Sequence, residues 1–138
     1  MKTACSIVTF ALLVLTGCST TQIAHHGSAK ADSETVLITY HVRPGKEAEF
    51  QAVLSRAWEI YRREHLVFAE PHVVVQDTED RGNPRFIEIF TWVSHAAPDH
   101  APDAVKTLWG QEQSLCETRS GRTAIEGGEV ELFIPTHK

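Results

Sequence analysis

Apolar and polar residues recur along the chain with two different periods, and these periods predict strands and helices. Val36–Val42 and Arg85–Val93 are rich in the β-branched and aromatic residues that strands favour, and His72–Asp77 is a shorter run of the same kind. Lys46–Glu64 and Pro102–Glu117 instead repeat apolar residues at the spacing of one helix face. Strands and helices are therefore predicted to alternate over this part of the chain.

A further strand, Glu129–Ile134, is predicted after a loop that contains glycine. The resulting order, β-α-β-β-α-β, is that of the ferredoxin-like fold. This is an α+β fold in which both helices cover one face of a four-stranded antiparallel sheet. We therefore predict a single domain over residues 35–138, a length that suits one hydrophobic core.

The strand Arg85–Val93 is apolar on both faces, since side chains alternate along a strand. One face carries Ile87, Ile89 and Val93, and the other carries Phe86, Phe90, Trp92 and the charged Glu88. A sheet with two apolar faces must bury both, and no spare segment is left to cover the second one. The sequence therefore predicts a sheet-to-sheet homodimer, without deciding which face carries Glu88 and Trp92.

The second predicted helix contains a carboxylate, Glu112, inside its apolar stripe. If Glu112 is buried, desolvation raises its pKa toward the range in which a carboxylate is a useful base. If it lies at the edge of the stripe, it reaches water or forms a salt bridge with Arg119 or Arg122. Cys116 lies on the same stripe and is interpreted as a core residue rather than a reactive thiol.

The amino-terminal segment has the pattern of an export signal. Lys2 is followed by the apolar run Ile7–Leu15, which is too short to span a bilayer and is typical of a signal-peptide core. The run ends in Leu15-Thr16-Gly17-Cys18, which resembles the lipobox of bacterial lipoproteins. This resemblance implies a signal peptide over residues 1–17, a lipidated Cys18, and a membrane anchor; the polar residues 18–34 are predicted to form a flexible tether.

The predicted location is the cell envelope. Ser19 stands where an aspartate would retain many such lipoproteins in the inner membrane, so the resemblance implies the outer membrane, facing the periplasm. The net charge of −5 argues against electrostatic binding to nucleic acid.

Three stretches together resemble the dimeric α/β-barrel superfamily, and within it the antibiotic-biosynthesis-monooxygenase-like domains. They are VLITYHVRPGKEAEFQAVLSRAWEIYRRE, FIEIFTWVSHAA and a second helix ending in LCE. The resemblance implies a pocket for a small apolar or aromatic ligand between the sheet and its helices. The candidate ligand-binding residues that it implies are Tyr40, His41, Glu88 and Trp109. Only one of Tyr40 and His41 can line the pocket, because neighbours on a strand face opposite ways.

Oxygenases of this branch use no metal or flavin, so the resemblance implies no cofactor and the oxidation of a phenolic or quinol-type small molecule. A base removes a proton, and the resulting anion reduces dioxygen. The candidate catalytic residues are Glu112 as the base, with His100 and Trp92. No metal-binding spacing of cysteines or histidines is found, so no metal site is expected.

The haem-degrading branch of the superfamily implies a different residue set. It places a histidine on the second helix, a tryptophan on the third strand and an asparagine on the first strand. Trp92 matches and His100 is near the helix, but Asn83, the only asparagine, lies in the hairpin turn. Haem degradation is therefore not expected, and haem binding through His100 stays open. Two further alternatives are a ligand-binding lipoprotein without turnover and a structural lipoprotein whose pocket is filled by tryptophans.

Overall fold

The computed structural model describes residues 32–133. Its elements are β1 (Glu34–His41), α1 (Glu47–Arg63), β2 (Val67–Glu79), β3 (Asn83–Trp92), α2 (Asp103–Leu115) and β4 (Ile125–Glu129), with a short 3-10 turn (Asp80–Gly82) between β2 and β3. The predicted signal peptide and the predicted lipidated Cys18 lie outside the described residues.

The four strands form one antiparallel sheet in the order β2-β3-β1-β4. This order and the two helices confirm the predicted ferredoxin-like α+β fold. The central pair is β1 and β3, whose register joins Ile38 to Glu88 and Tyr40 to Phe86. Glu88, in the middle of β3, therefore lies near the centre of the sheet.

Two strands differ from the prediction. β2 begins at Val67 rather than His72, and its pairing with β3 is irregular between these two residues. Pro71 lies in this interval, and proline cannot donate a ladder hydrogen bond.

The predicted last strand, Glu129–Ile134, is wrong, because β4 ends where that strand was expected to begin. β4 is Ile125–Glu129 and contains Gly127 and Gly128. Its sequence therefore lacks the alternation of apolar and polar residues by which a strand is predicted. Its position is set by the backbone: His41 N–H donates to the Ala124 carbonyl at 3.0 Å, and the ladder with β1 follows.

Both helices pack on the same face of the sheet. The buried face of α1 consists of Phe50, Val53, Leu54, Ala57 and Tyr61. Phe50 contacts Tyr40 and Phe86 with ring centroids 4.9 and 5.0 Å apart, and Tyr61 contacts Phe90 at 5.9 Å. Side chains two apart on β3 share a face, so Glu88 and Trp92 also lie under the helices.

The opposite face of the sheet remains apolar and open among the described residues. Its register brings Val73, Ile89 and Leu37 into one row, with Val75 and Ile87 in the next. Val73 and Val75 are 46% and 48% exposed, which is unusual for neighbouring valines on a strand. None of the described helices is both long and apolar enough to cross a membrane.

Candidate functional site

A buried carboxylate occupies the centre of β3 beneath the helices. Glu88 is 1% exposed, and both of its oxygens have partners. The Tyr40 hydroxyl donates to Oε2 at 2.9 Å, and Nε2 of His72 lies 2.9 Å from Oε1. Tyr40 comes from β1 and His72 from β2, so Glu88 links its own strand to both neighbouring strands on the helix-covered face.

A second buried carboxylate, Glu112, comes from α2. It is 3% exposed, and its Oε1 atom has no hydrogen-bond partner. Arg119 pairs instead with Glu79 and Glu117. Arg122 is also nearest to Glu79, so the predicted alternative of a salt bridge from Glu112 to Arg119 or Arg122 is wrong. Because α2 packs on the sheet over this stretch, the apolar stripe carries Glu112 inward.

The two carboxylates influence each other. Burial, together with the negative charge of Glu88, raises the pKa of Glu112 to about 8. Burial and the same charge also raise the pKa of the Tyr40 hydroxyl, which therefore keeps its proton and donates a hydrogen bond to Glu88. Burial and the charge of Glu112 raise the pKa of Tyr61. Glu112 is thus a carboxyl that is mostly protonated at neutral pH and can ionise just above it.

Aromatic rings surround the carboxylate pair on the side of α2. Trp92 contacts Phe90, Tyr61 and Trp109 with centroid distances of 4.9, 5.2 and 6.5 Å. The indole N–H of Trp109 donates to the Tyr61 hydroxyl. The structure therefore brings Trp92 and Trp109 together, in a tightly packed aromatic wall.

Tyr40 and His41 face opposite ways, as strand geometry requires. Tyr40 faces the helices, whereas His41 lies on the other face, is fully buried, and has its Nδ1 atom 2.9 Å from Glu79. Of these two candidates, Tyr40 is therefore the one that lies beside Glu88 under the helices.

His100 is exposed in the turn before α2. An iron ligand on the second helix would need a histidine within Asp103–Leu115, and Asn83 is at the far end of β3 from Trp92. The described residues do not reproduce the arrangement that the haem-degrading branch implies.

An open cavity of about 480 Å³ lies between α1 and the outer part of the sheet. Its walls are formed by Gln51, Leu54, Ser55, Trp58, Glu59, His72, Val74, Gln76 and Phe86. The sequence resemblance implied a pocket between sheet and helices lined by Tyr40 or His41, Glu88 and Trp109. This cavity is instead lined by α1 and β2, with Phe86 from β3, and Glu112 and Trp109 are not in its walls.

His72 connects this cavity to the buried Glu88, and nothing in the sequence marks it as a site residue. Its ring stacks on Trp58 at 3.5 Å with the planes 14° apart, while its Nε2 atom faces Glu88. Strand alternation gives only the side of the sheet on which His72 lies. Once Val73 and Val75 are placed on the open face, His72, Val74 and Gln76 must face the helices.

A larger open cleft, of about 740 Å³, lies at the hairpin end of the sheet and is strongly polar. Four arginines line it, Arg81, Arg85, Arg119 and Arg122. Arg85 and Arg119 are held by Asp77, Glu79 and Glu117. Within residues 32–133, no group of three or more histidine, cysteine or acidic side chains is arranged to hold a metal ion.

Solved structures share this architecture. A variant of SnoaB, a cofactor-independent oxygenase from Streptomyces nogalater, superposes with a TM-score of 0.57 at 19% sequence identity, over 78% of this chain and 100% of that protein. A candidate antibiotic biosynthesis monooxygenase from Bacteroides thetaiotaomicron gives a TM-score of 0.55 at 17% identity, over 78% and 95%. A conserved protein from Methanosarcina mazei gives 0.56 at 16%, over 72% and 91%.

No protein-family model matches the sequence, and neither does any curated protein. The likeness to the solved structures shows the fold, because the sequence identities are low. The chain has the ferredoxin-like fold of the antibiotic-biosynthesis-monooxygenase-like proteins, among which is a cofactor-independent oxygenase.

Proposed function

We propose that the domain oxidises a small phenolic or quinol-type molecule with dioxygen and without a cofactor. The observation that carries the proposal is the Glu112 carboxyl group, which is buried, has an oxygen without a partner, and lies close enough to Glu88 for that charge to raise its pKa to about 8. Burying an unpaired polar atom costs free energy, and such costs are concentrated at functional sites.

Glu112 serves as the base in this proposal. A carboxyl with a pKa near the working pH is ionised often enough to accept a proton and still basic enough to take one from a weak carbon acid. An anthrone-type methylene group loses a proton to Glu112, and its carbanion adds dioxygen to give a hydroperoxide. Loss of water then leaves a carbonyl group. The methylene carbon supplies all four electrons, and both of its hydrogens leave in the water molecule.

Oxygen uptake tests this proposal. The purified domain is incubated with anthrone, quinol and flavonoid substrates in an oxygen electrode, beside Glu112→Gln and the control Glu129→Gln, which changes an exposed glutamate on β4. We expect uptake with at least one substrate class, a loss of about a hundredfold or more in Glu112→Gln, and no change in the control. Uptake that is equal in all three proteins would remove Glu112 from the reaction.

A ligand carrier without turnover is the second candidate, and a specific observation favours it. Glu112 is absent from the walls of the 480 Å³ cavity, so a ligand in that cavity need not meet a base on α2. Tight binding of an aromatic ligand without oxygen uptake would support the carrier.

The open face of the sheet is the proposed homodimer interface. Leu37, Val73, Val75, Ile87 and Ile89 form a continuous apolar surface across three strands, and a second copy would bury it. Trp92 and Phe90 belong to the helix-covered face, so the interface is formed by the other side chains of β3.

The location of the protein in the cell is proposed from its amino terminus. Acylation of Cys18 would tether the domain to the outer membrane on its periplasmic side, with about sixteen residues of polar chain between lipid and domain, long enough to span roughly 20 Å. A reaction on a small apolar substrate would then take place near the membrane in which such substrates accumulate.

A further inference from the structure

The 480 Å³ cavity combines a flat aromatic wall with one titratable ring. Trp58 supplies aromatic surface and Val74 supplies aliphatic surface, with the buried Phe86 and Leu54 behind them, and His72 supplies imidazole nitrogen. Its volume lies within the range of about 300–1,000 Å³ that is usual for small-molecule sites. A planar aromatic molecule fits the chemistry of these walls.

His72 is arranged as a carboxylate-oriented base. An ionised carboxylate only accepts hydrogen bonds, so the 2.9 Å contact with Glu88 requires that Nε2 of His72 carries the hydrogen. In the neutral ring Nδ1 then holds the lone pair, and among the described residues it has no hydrogen-bond partner. The His72 side chain is 22% exposed, while Glu88 is 1% exposed, so one end of the pair is reached from the cavity and the other is buried.

The neighbouring contacts fix this arrangement. Trp58 stacks flat on the imidazole and restricts its rotation. The Tyr40 hydroxyl holds the second oxygen of Glu88, so this carboxylate cannot turn away from His72 without breaking a buried hydrogen bond. An oriented histidine backed by a buried carboxylate is the arrangement by which enzymes take a proton from a hydroxyl group.

We propose that His72, with Glu88 behind it, accepts the hydroxyl proton of a phenolic ligand bound in this cavity against Trp58. The inference rests on the proposed oxidation and names the group that ionises the substrate hydroxyl. The O–H bond breaks, its proton moves to Nδ1 of His72, and the resulting imidazolium is stabilised by the charge of Glu88. The ligand becomes a phenolate, which is a better electron donor toward dioxygen.

The proton transfer to His72 is separate from the one proposed for Glu112, because Glu112 is not in the walls of this cavity. Glu88 stands between them, because it bonds His72 and its charge acts on Glu112.

The experiment uses 2-naphthol, a phenol whose anion absorbs at longer wavelength than its neutral form. Binding is measured by calorimetry without oxygen, and ionisation by the absorption band of the bound naphtholate at neutral pH. The variants are His72→Gln, Trp58→Leu and the control His95→Gln, whose histidine is 77% exposed and pairs with Glu34 away from the cavity. Circular dichroism checks that each variant is folded.

We expect the unmodified protein and the control to bind 2-naphthol and to show the naphtholate band. His72→Gln should bind within about threefold and lose the band, whereas Trp58→Leu should bind about fivefold more weakly, since one aromatic stack is worth roughly 1 kcal/mol. A full naphtholate band in His72→Gln would overturn the inference, and so would unchanged binding in Trp58→Leu.

A second measurement needs no variant. Imidazole nitrogen NMR of the unmodified protein should show the Nε2–H tautomer for His72 and an imidazolium after 2-naphthol is added; the other tautomer overturns the inference. If the protein ionises 2-naphthol but takes up no oxygen with any substrate, the proposed oxidation is contradicted and the His72 assignment is not. If oxygen uptake is unchanged in His72→Gln, the His72 assignment is contradicted and the proposed oxidation is not.

Discussion

Nε2 of His72 lies 2.9 Å from Oε1 of Glu88, and this contact joins an open cavity to a carboxylate in the centre of the sheet. The histidine is on an edge strand and the glutamate on a central one, so the contact crosses from the accessible margin of the domain to its interior. Glu112 faces the same interior from α2. Together these groups form the part of the domain that is least explained by packing alone.

The ionisation of Glu112 should make the folded state less stable as the pH rises. Its pKa is 4.5 when unperturbed and about 8 in the folded protein, so between these values the folded state keeps a proton that the unfolded state has lost. The stabilising contribution is complete below pH 4.5 and falls by about 1.4 kcal/mol per pH unit as the pH rises toward 8.

Urea unfolding of the unmodified protein and of Glu112→Gln at pH 5, 7 and 9 measures this effect. The difference between the two proteins isolates Glu112, because the other titrating groups are common to both. As the pH rises, the free energy of unfolding of Glu112→Gln should increase relative to that of the unmodified protein. A stability difference that does not change with pH would show that Glu112 has no raised pKa.

Tyr40→Phe should destabilise the domain by about 1–3 kcal/mol, because it leaves one oxygen of the buried Glu88 without its donor. Thermal and urea unfolding measure the loss. In the double variant with Glu88→Gln the two losses should not add, since both changes disrupt the same hydrogen bond. Additive losses would mean that the hydroxyl and the carboxylate do not interact.

Charge on the open face of the sheet should separate the proposed dimer. The double variant Val73→Asp, Val75→Asp places two carboxylates on exposed positions of β2, and we expect a folded monomer by sizing chromatography and circular dichroism. Gln113→Asp, an exposed change on α2, should leave the dimer intact. A double variant that still elutes as a dimer contradicts this interface. Phe90→Asp and Trp92→Asp should instead unfold the domain, since both residues are buried under the helices.

Lipidation at Cys18 should decide where the full-length protein is found. Cys18→Ala should move the protein from the membrane fraction to the soluble fraction and abolish incorporation of labelled fatty acid. Cys5→Ala, in the predicted signal peptide, should leave the protein in the membrane fraction. Membrane association that persists without Cys18 would contradict the lipoprotein proposal.

The fold was predictable where side chains decide the structure. Helical spacing in α1 and α2 and the apolar runs of β1 and β3 predicted elements whose bounds the structure moves by only a few residues. β4 was misplaced because its position depends on backbone pairing with β1, and the glycines at its centre carry no apolar signal. Which face of β3 is covered also could not be predicted, since both of its faces are apolar.

The candidate site was predictable in part, for a similar reason. Glu112 stood out because a charge interrupts an apolar stripe, and Glu88 because a charge stands among aromatic residues. His72 gave no such signal, since a histidine beside three valines on a short strand is ordinary on the surface. Its importance comes from contacts with Glu88 and Trp58, which are distant in sequence. Such contacts exist only once the fold brings α1 and β3 to β2.

The rate of oxygen uptake as a function of pH tests the central claim most directly, that Glu112 is a buried base. Measured between pH 6 and pH 9 on an anthrone-type substrate, kcat/KM should rise about tenfold per unit and level off near the pKa of Glu112, about 8. Glu112→Gln should lose most of the rate and all of that dependence. A rate that is flat across this range in the unmodified protein, or a Glu112→Gln variant with an unchanged profile, would contradict the account.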